Sequence, residues 1–133
     1  MNPIQRRPSW PDPWRCTVEV LMVSGCPGTE LAIARVREAA EALALETNLR
    51  FVIVENDEQA RVHGFVGSPT IRVEGVDVEE GITNRPLGLA CRLYRTPSTD
   101  GSEDLVERAP PLAWIHAALA RSAPIVQARA ATI

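Results

Sequence analysis

The chemistry available to this chain is concentrated in two cysteines, a threonine and a serine-proline turn. Cys26 stands in Ser24-Gly25-Cys26-Pro27-Gly28-Thr29, after a run of β-branched residues and before a run with helical spacing. A thiol at a strand-to-helix junction lies near unpaired backbone N–H groups and the positive end of the helix dipole, and both favour an anion. The thiolate is the nucleophilic form of cysteine, so this position favours a reactive sulfur. Pro27 suits a first helical turn, where its missing N–H has no partner to lose. The plainer reading of Cys26 is a small apolar core residue.

Cys91 is the candidate second thiol. It lies in Gly88-Leu89-Ala90-Cys91-Arg92-Leu93-Tyr94-Arg95, where the charges of Arg92 and Arg95 would favour a thiolate. If this segment folds over the start of the first helix, Cys91 could resolve a sulfenic acid or mixed disulfide on Cys26. That pairing needs the two Cα atoms within about 7 Å. The alternative is a buried structural cysteine on a strand. Two thiolates would also suit a soft metal such as Hg(II) or Cu(I). An organomercurial lyase would need a carboxylic acid beside them, and the sequence assigns none. Cys16 reads as a bystander at a strand edge, His63 as a solvated or core histidine closing a short helix, and Tyr94 as a half-buried strand tyrosine. No Cys/His spacing, His116 included, resembles a closed zinc site.

The elements that must hold these residues follow from periodicity. Thr17 to Val23 reads as a strand. From about Pro27 to Leu45, Ala32, Val36, Ala39 and Leu43 share one helical face, with Arg35, Arg37, Glu38 and Glu41 away from it. Leu49 to Val54 is nearly continuous in apolar residues, which predicts a strand covered on both faces. Asn56 or Asp57 can cap a short helix that runs through His63 and stops at Gly64. Ile71-Arg72-Val73, Glu74-Gly75 and Val76 to Val78 predict a hairpin over 70–78. Residues 79–109 give no clear pattern. Pro110-Pro111 opens a last helix with Leu112, Ile115 and Leu119 in a stripe and Trp114 beside it.

Composition narrows the function classes. The chain has 133 residues, enough for one domain: an irregular Pro/Trp arm over 1–15 with Trp10 and Trp14, a folded unit over 16–121 and a flexible tail over 122–133. With 14 basic and 17 acidic residues the formal charge is −3, so there is no basic field for nucleic acid. No Gly-rich phosphate loop, membrane-length apolar run or leader-like segment is evident, and no cofactor is implied. Three scattered cysteines are no secreted disulfide framework, so a reducing cytoplasm is the expected location. Oligomeric state is left open.

The order β-α-β, short α, β-hairpin, α resembles the thioredoxin-like superfamily: an α/β fold with a central mixed sheet of about four strands flanked by helices. The chain is most similar to a group of short proteins carrying Gly25-Cys26-Pro27, Gly67-Ser68-Pro69-Thr70 and Gly88-Leu89-Ala90-Cys91-Arg92-Leu93-Tyr94-Arg95, some of them labelled alkylmercury-lyase-like. The resemblance covers roughly residues 17–120. It implies a redox-active Cys26 and a cis-proline at Pro69, with Ser68, Pro69 and Thr70 forming a substrate-binding turn near the sulfur. It also exposes a departure, because Thr29 stands where the thioredoxin pattern has its second cysteine. A local Cys-x-x-Cys disulfide is therefore ruled out, and the Thr29 hydroxyl could instead donate to the Cys26 sulfur. Three functions stay open. The first is a thiol-dependent oxidoreductase or thiol-exchange protein, acting on a protein or small-molecule thiol or disulfide. The second is a soft-metal or organomercurial binder or lyase. The third is a non-catalytic thioredoxin-fold interaction module.

Overall fold

The computed structural model describes residues 15–82 and 85–131, with side chains through Val126. The expected Pro/Trp arm, with Trp10 and Trp14, lies outside the described residues. Among the described residues, nine elements follow in chain order: β1 (Cys16–Met22), α1 (Thr29–Ala42), β2 (Thr47–Ile53), α2 (Asp57–His63), β3 (Thr70–Val73), β4 (Val76–Asp77), β5 (Tyr94–Thr96), β6 (Leu105–Glu107) and α3 (Leu112–Ala131). The architecture is α/β, with a four-stranded mixed sheet in the order β2-β1-β3-β4, three helices and a separate β5-β6 ribbon.

β1 is the central ruler. It pairs in parallel with β2 from Cys16↔Thr47 to Met22↔Ile53, and antiparallel with β3 from Val18↔Val73 to Leu21↔Thr70. Side chains alternate across a strand, so Cys16, Val18 and Val20 share one face of the sheet. With Ile71 and Val73 of β3 they meet Ala32, Val36 and Ala39 of α1 and Ile115, Ala118 and Leu119 of α3. Small alanines on α1 let it sit close to the sheet and to α3. The opposite face carries Leu21, which packs with Val54, Phe65 and Ala60 of α2.

Local signals account for the turns. Asn56 caps α2 by accepting from the Gln59 N–H, and Gly64 ends it in the left-handed region at φ 61°. Glu74 (φ 51°) and Gly75 (φ 84°) form the two-residue turn between β3 and β4, since both central residues of that turn type need positive φ. Glu74 is held there in part by its carboxylate, which accepts the Thr17 N–H at 2.7 Å.

Two expectations are corrected. β2 is an edge strand, not one covered on both faces: Phe51 and Ile53 are 50% and 53% exposed. An apolar run marks a strand, but whether it is central depends on which strands pair beside it. The tail from Ser122 continues α3 instead of dissolving. Ala118, Ser122 and Val126 fall at i, i+4 and i+8 and are all buried, and the Ser122 hydroxyl returns to the Ala118 carbonyl at 3.1 Å. Pro124 lies inside this helix, so packing overrides its helix-breaking chemistry. Among the described residues, no helix is long and apolar enough to cross a membrane.

Candidate functional site

The loop after β1 turns sharply to start α1. The Cys26 N–H donates to the Val23 carbonyl at 3.3 Å, and the Thr29 N–H to the Cys26 carbonyl at 3.3 Å. Gly28 is the residue before α1 and carries no capping side chain. Its identity has a steric reason: a Cβ there would lie 2.2 Å from the Arg108 carbonyl oxygen. The neighbouring backbone is fastened to α1 by Arg35, which donates to the Pro110 carbonyl at 2.9 Å and to Glu107 at 2.6 Å. Arg35 was expected on the outward side of the helix; it instead clamps the approach to α3 against the start of α1.

The Cys26 sulfur is partly exposed at this junction. Partial burial pushes its thiol up, but donors outweigh that effect: the Ser68 hydroxyl, the Gly28 N–H, and the hydroxyl and N–H of Thr29. The thiol is held below its ordinary value. Ser68 is placed for this role from both sides. Its Oγ accepts the Val23 N–H at 3.0 Å, which leaves its own hydrogen for the sulfur. Thr29 Oγ1 is buried without a partner of ordinary hydrogen-bond geometry, and the sulfur is the acceptor it faces.

Ser68 reaches the sulfur because the turn around it is braced. The Ser68–Pro69 peptide bond is cis. Gly67 has φ 132°, and a Cβ there would meet the Arg92 side chain at 2.8 Å. The segment that contains Cys91 runs beside this turn as a short parallel bridge, Ser68↔Cys91. The Ser68 N–H donates to the Ala90 carbonyl at 3.0 Å, and the Arg92 N–H donates to the Ser68 carbonyl at 2.9 Å. Bridged neighbours stand about 5 Å apart, so Cys91 is adjacent in register to the residue that touches Cys26. Cys91 is exposed and Ser68 is buried; neither Cys26 nor Cys91 is in a disulfide.

Arg92 does not serve Cys91 as its place in the sequence suggested. Successive residues of an extended segment point to opposite sides, and the Arg92 side chain is buried beneath the turn. It donates to Asp77 through two nitrogens at 2.9 and 3.0 Å, to Glu79 at 2.9 Å and to Thr70 Oγ1 at 2.9 Å. Its guanidinium also lies 4.6 Å from the Tyr94 ring centre. Burial alone would lower its affinity for the proton, but Asp77 and Glu79 more than offset that. Arg95 is likewise engaged, 3.7 Å from Asp104. Tyr94 is fully buried, and its hydroxyl donates to the Pro69 carbonyl, so it supports the turn and is not a half-buried bystander. Burial pushes its phenol well up.

An open groove of about 330 Å³ runs beside Cys26, lined by Met22, Val23, Ser24, Gly25, Thr29, Glu30 and Ile53. A larger cleft of about 420 Å³, lined by Val78, Glu79, Trp114 and Arg121 among others, shares no residue with it. The smaller groove is the one that opens at the sulfur. Among the described residues, no group of three or more His, Cys, Asp or Glu side chains is gathered to hold a metal ion.

The roles missed from sequence are those of Arg92, Asp77, Glu79 and Tyr94, which support the turn, and of Gly28, which admits the Arg108 backbone. A signal for Arg92 existed: a lone arginine inside Leu-Ala-Cys-Arg-Leu-Tyr is flanked by apolar residues, as a buried, paired arginine would be. Comparison with known proteins gives no match to a family model, a curated protein or a solved structure.

Proposed function

We propose that this chain is a thioredoxin-like protein that performs thiol–disulfide exchange with Cys26 as nucleophile and Cys91 as resolving thiol. The order of strands and helices supports the fold reading, with α1 and α3 on one face of a mixed sheet and α2 on the other. The observation that carries the functional reading is the set of donors around one partly exposed sulfur, from Ser68, Gly28 and Thr29. In the first step the Cys26 thiolate attacks a substrate disulfide, forms a mixed disulfide and releases the substrate's other thiolate. In the second, the Cys91 thiolate attacks the Cys26 sulfur, forms a Cys26–Cys91 disulfide and releases the remaining substrate thiolate. The substrate gains two electrons and the two protein thiols lose them; an external dithiol restores the reduced protein. Ser68, Pro69 and Thr70, expected to bind substrate, are buried; in this reading they support the sulfur from within, and the substrate chain lies in the open groove beside Cys26.

The test is to react the reduced protein with a small aromatic disulfide and follow the thiolate released. Wild-type protein is expected to end quickly as an internal disulfide, Cys91→Ser as a quickly formed mixed disulfide trapped on Cys26, and Cys26→Ser to react only slowly, through the exposed Cys91. Equal, slow reaction of all three contradicts the assignment.

One observation favours a second reading. Glu30 is the carboxyl group among the residues lining the Cys26 groove, and cleavage of a carbon–mercury bond needs an acid to protonate the carbon as sulfur takes the metal. Release of hydrocarbon from an organomercurial by wild-type protein, lost in Glu30→Gln, would favour this reading over exchange.

A further inference from the structure

The thiol chemistry proposed for Cys26 depends on where the Ser68 hydroxyl stands, and Ser68 has no rigid element of its own. It sits between α2 and β3, in a four-residue turn whose shape must be imposed from outside. The contacts that impose it converge on one residue. The Arg92 backbone N–H holds the Ser68 carbonyl at 2.9 Å. The Arg92 side chain holds Thr70 Oγ1 at 2.9 Å, and that hydroxyl donates its hydrogen back to the Gly67 carbonyl at 2.6 Å. The Arg92 Cβ occupies the space that a side chain at Gly67 would need. Its guanidinium stacks near Tyr94, whose hydroxyl holds the Pro69 carbonyl. Every residue of the turn, from Gly67 to Thr70, therefore touches Arg92 or a group that Arg92 orients.

A guanidinium suits this task. It is charged at all relevant pH values and planar, and it presents donors in a fixed fork. Asp77 accepts two of those donors and Glu79 a third. These carboxylates fix the fork and make its burial tolerable, since a buried charge without partners would be costly. Asp77 belongs to β4 and Glu79 follows it, so the anchor of the turn is the far end of the hairpin.

We propose that Arg92 is a positioning residue for the sulfur site: it locks the Gly67–Thr70 turn so that the Ser68 hydroxyl, and with it the neighbouring Cys91, are presented to Cys26. This inference rests on the thiol-exchange reading above. A residue that merely stabilised the fold would lower the melting temperature and leave Cys26 reactivity in the folded protein unchanged. A positioning residue changes that reactivity while the protein stays folded.

The experiment measures the rate of iodoacetamide alkylation at Cys26 against pH, by peptide mass, for wild type, Ser68→Ala, Arg92→Lys and Thr70→Val, with circular dichroism confirming the fold. Thr70→Val keeps the shape of the side chain and the ion pairs of Arg92, and removes the hydroxyl through which the guanidinium reaches the turn. It therefore keeps the proposal testable should Arg92→Lys fail to fold. At neutral pH, Ser68→Ala is expected to lower the rate about tenfold, the loss of one hydrogen bond to an anion. Arg92→Lys and Thr70→Val should lower it severalfold and move the pH profile upward. Either change combined with Ser68→Ala should add little, because both act through the same hydroxyl. Formation of the Cys26–Cys91 disulfide by a small disulfide oxidant should slow in parallel. A folded Thr70→Val or Arg92→Lys protein with the wild-type pH profile overturns the role of Arg92, and so does full additivity with Ser68→Ala. An ordinary profile in wild type itself removes the thiol-exchange reading instead, so the two failures are distinguishable.

Discussion

Cys16 and Cys26 flank the same strand and have opposite surroundings. Cys16 begins β1, is fully buried and belongs to the core cluster with Val18, Val36 and Leu119. Cys26 lies just past the end of β1, partly exposed, where the chain turns to start α1 and Ser68, Gly28 and Thr29 direct donors to its sulfur. The side chains are chemically identical. What separates them is whether β1 directs the residue into the sheet's packed face or the chain ends its strand beside free helix N–H groups. Core packing closes Cys16 to reagents, whereas the donors at the helix start favour the anionic form of Cys26. Cys91 is a third case, exposed like a reactive thiol but next to an arginine whose charge is already matched by Asp77 and Glu79.

The comparison can be broken at several points, in order of effect. Cys26→Ser should reduce exchange with a small disulfide to the uncatalysed rate, whereas Cys16→Ala should leave that rate within about twofold of wild type. Equal losses would erase the contrast. Cys16→Ala instead removes a packed sulfur and should cost about 1–2 kcal/mol of stability, read by denaturant unfolding. Gly28→Ala is expected to destabilise by about 1–3 kcal/mol, because the Arg108 carbonyl must move to admit the methyl group. An unchanged unfolding midpoint would show that the segment is looser than its contacts imply. Thr29→Val should lower Cys26 alkylation at neutral pH by about threefold, less than Ser68→Ala, since its hydroxyl faces the sulfur without full hydrogen-bond geometry.

The smallest effect is on stability against pH. The folded state holds the Cys26 thiol below its unfolded value. Between the folded midpoint and the unfolded value near about 8.5, the unfolded chain binds more protons. Stability relative to Cys26→Ser should therefore rise with pH across that window and level off above it. It is lost as pH falls through the folded midpoint, and a flat difference would mean that the thiolate gains nothing from folding.

The legible parts of the molecule were those set by local physics. The β1 pattern, the cap at Asn56, the stop at Gly64 and the Glu74-Gly75 turn each depend on residues within a few positions of one another, and each was readable. So was the placement of Cys26 at a helix start. What escaped depended on partners far along the chain. Whether β2 is central or at an edge is decided by β3 choosing the other side of β1. Whether Arg92 faces Cys91 or turns beneath the turn is decided by carboxylates at 77 and 79. The helix beyond Ser122 escaped for a different reason: its buried stripe uses Ala118 and Ser122, small residues that apolar periodicity underweights, and Pro124 reads as a stop. The Ser68↔Cys91 bridge is the sharpest instance of a distant pairing, because residues 22 or more positions apart carry no periodic signal of contact.

The most direct test of the central claim is the pH dependence of alkylation at Cys26 in the reduced wild-type protein. A midpoint below that of an ordinary cysteine, near about 8.5, is the predicted result. A midpoint at or above that value would mean that the donors from Ser68, Gly28 and Thr29 do not hold the sulfur as an anion, and would contradict the account.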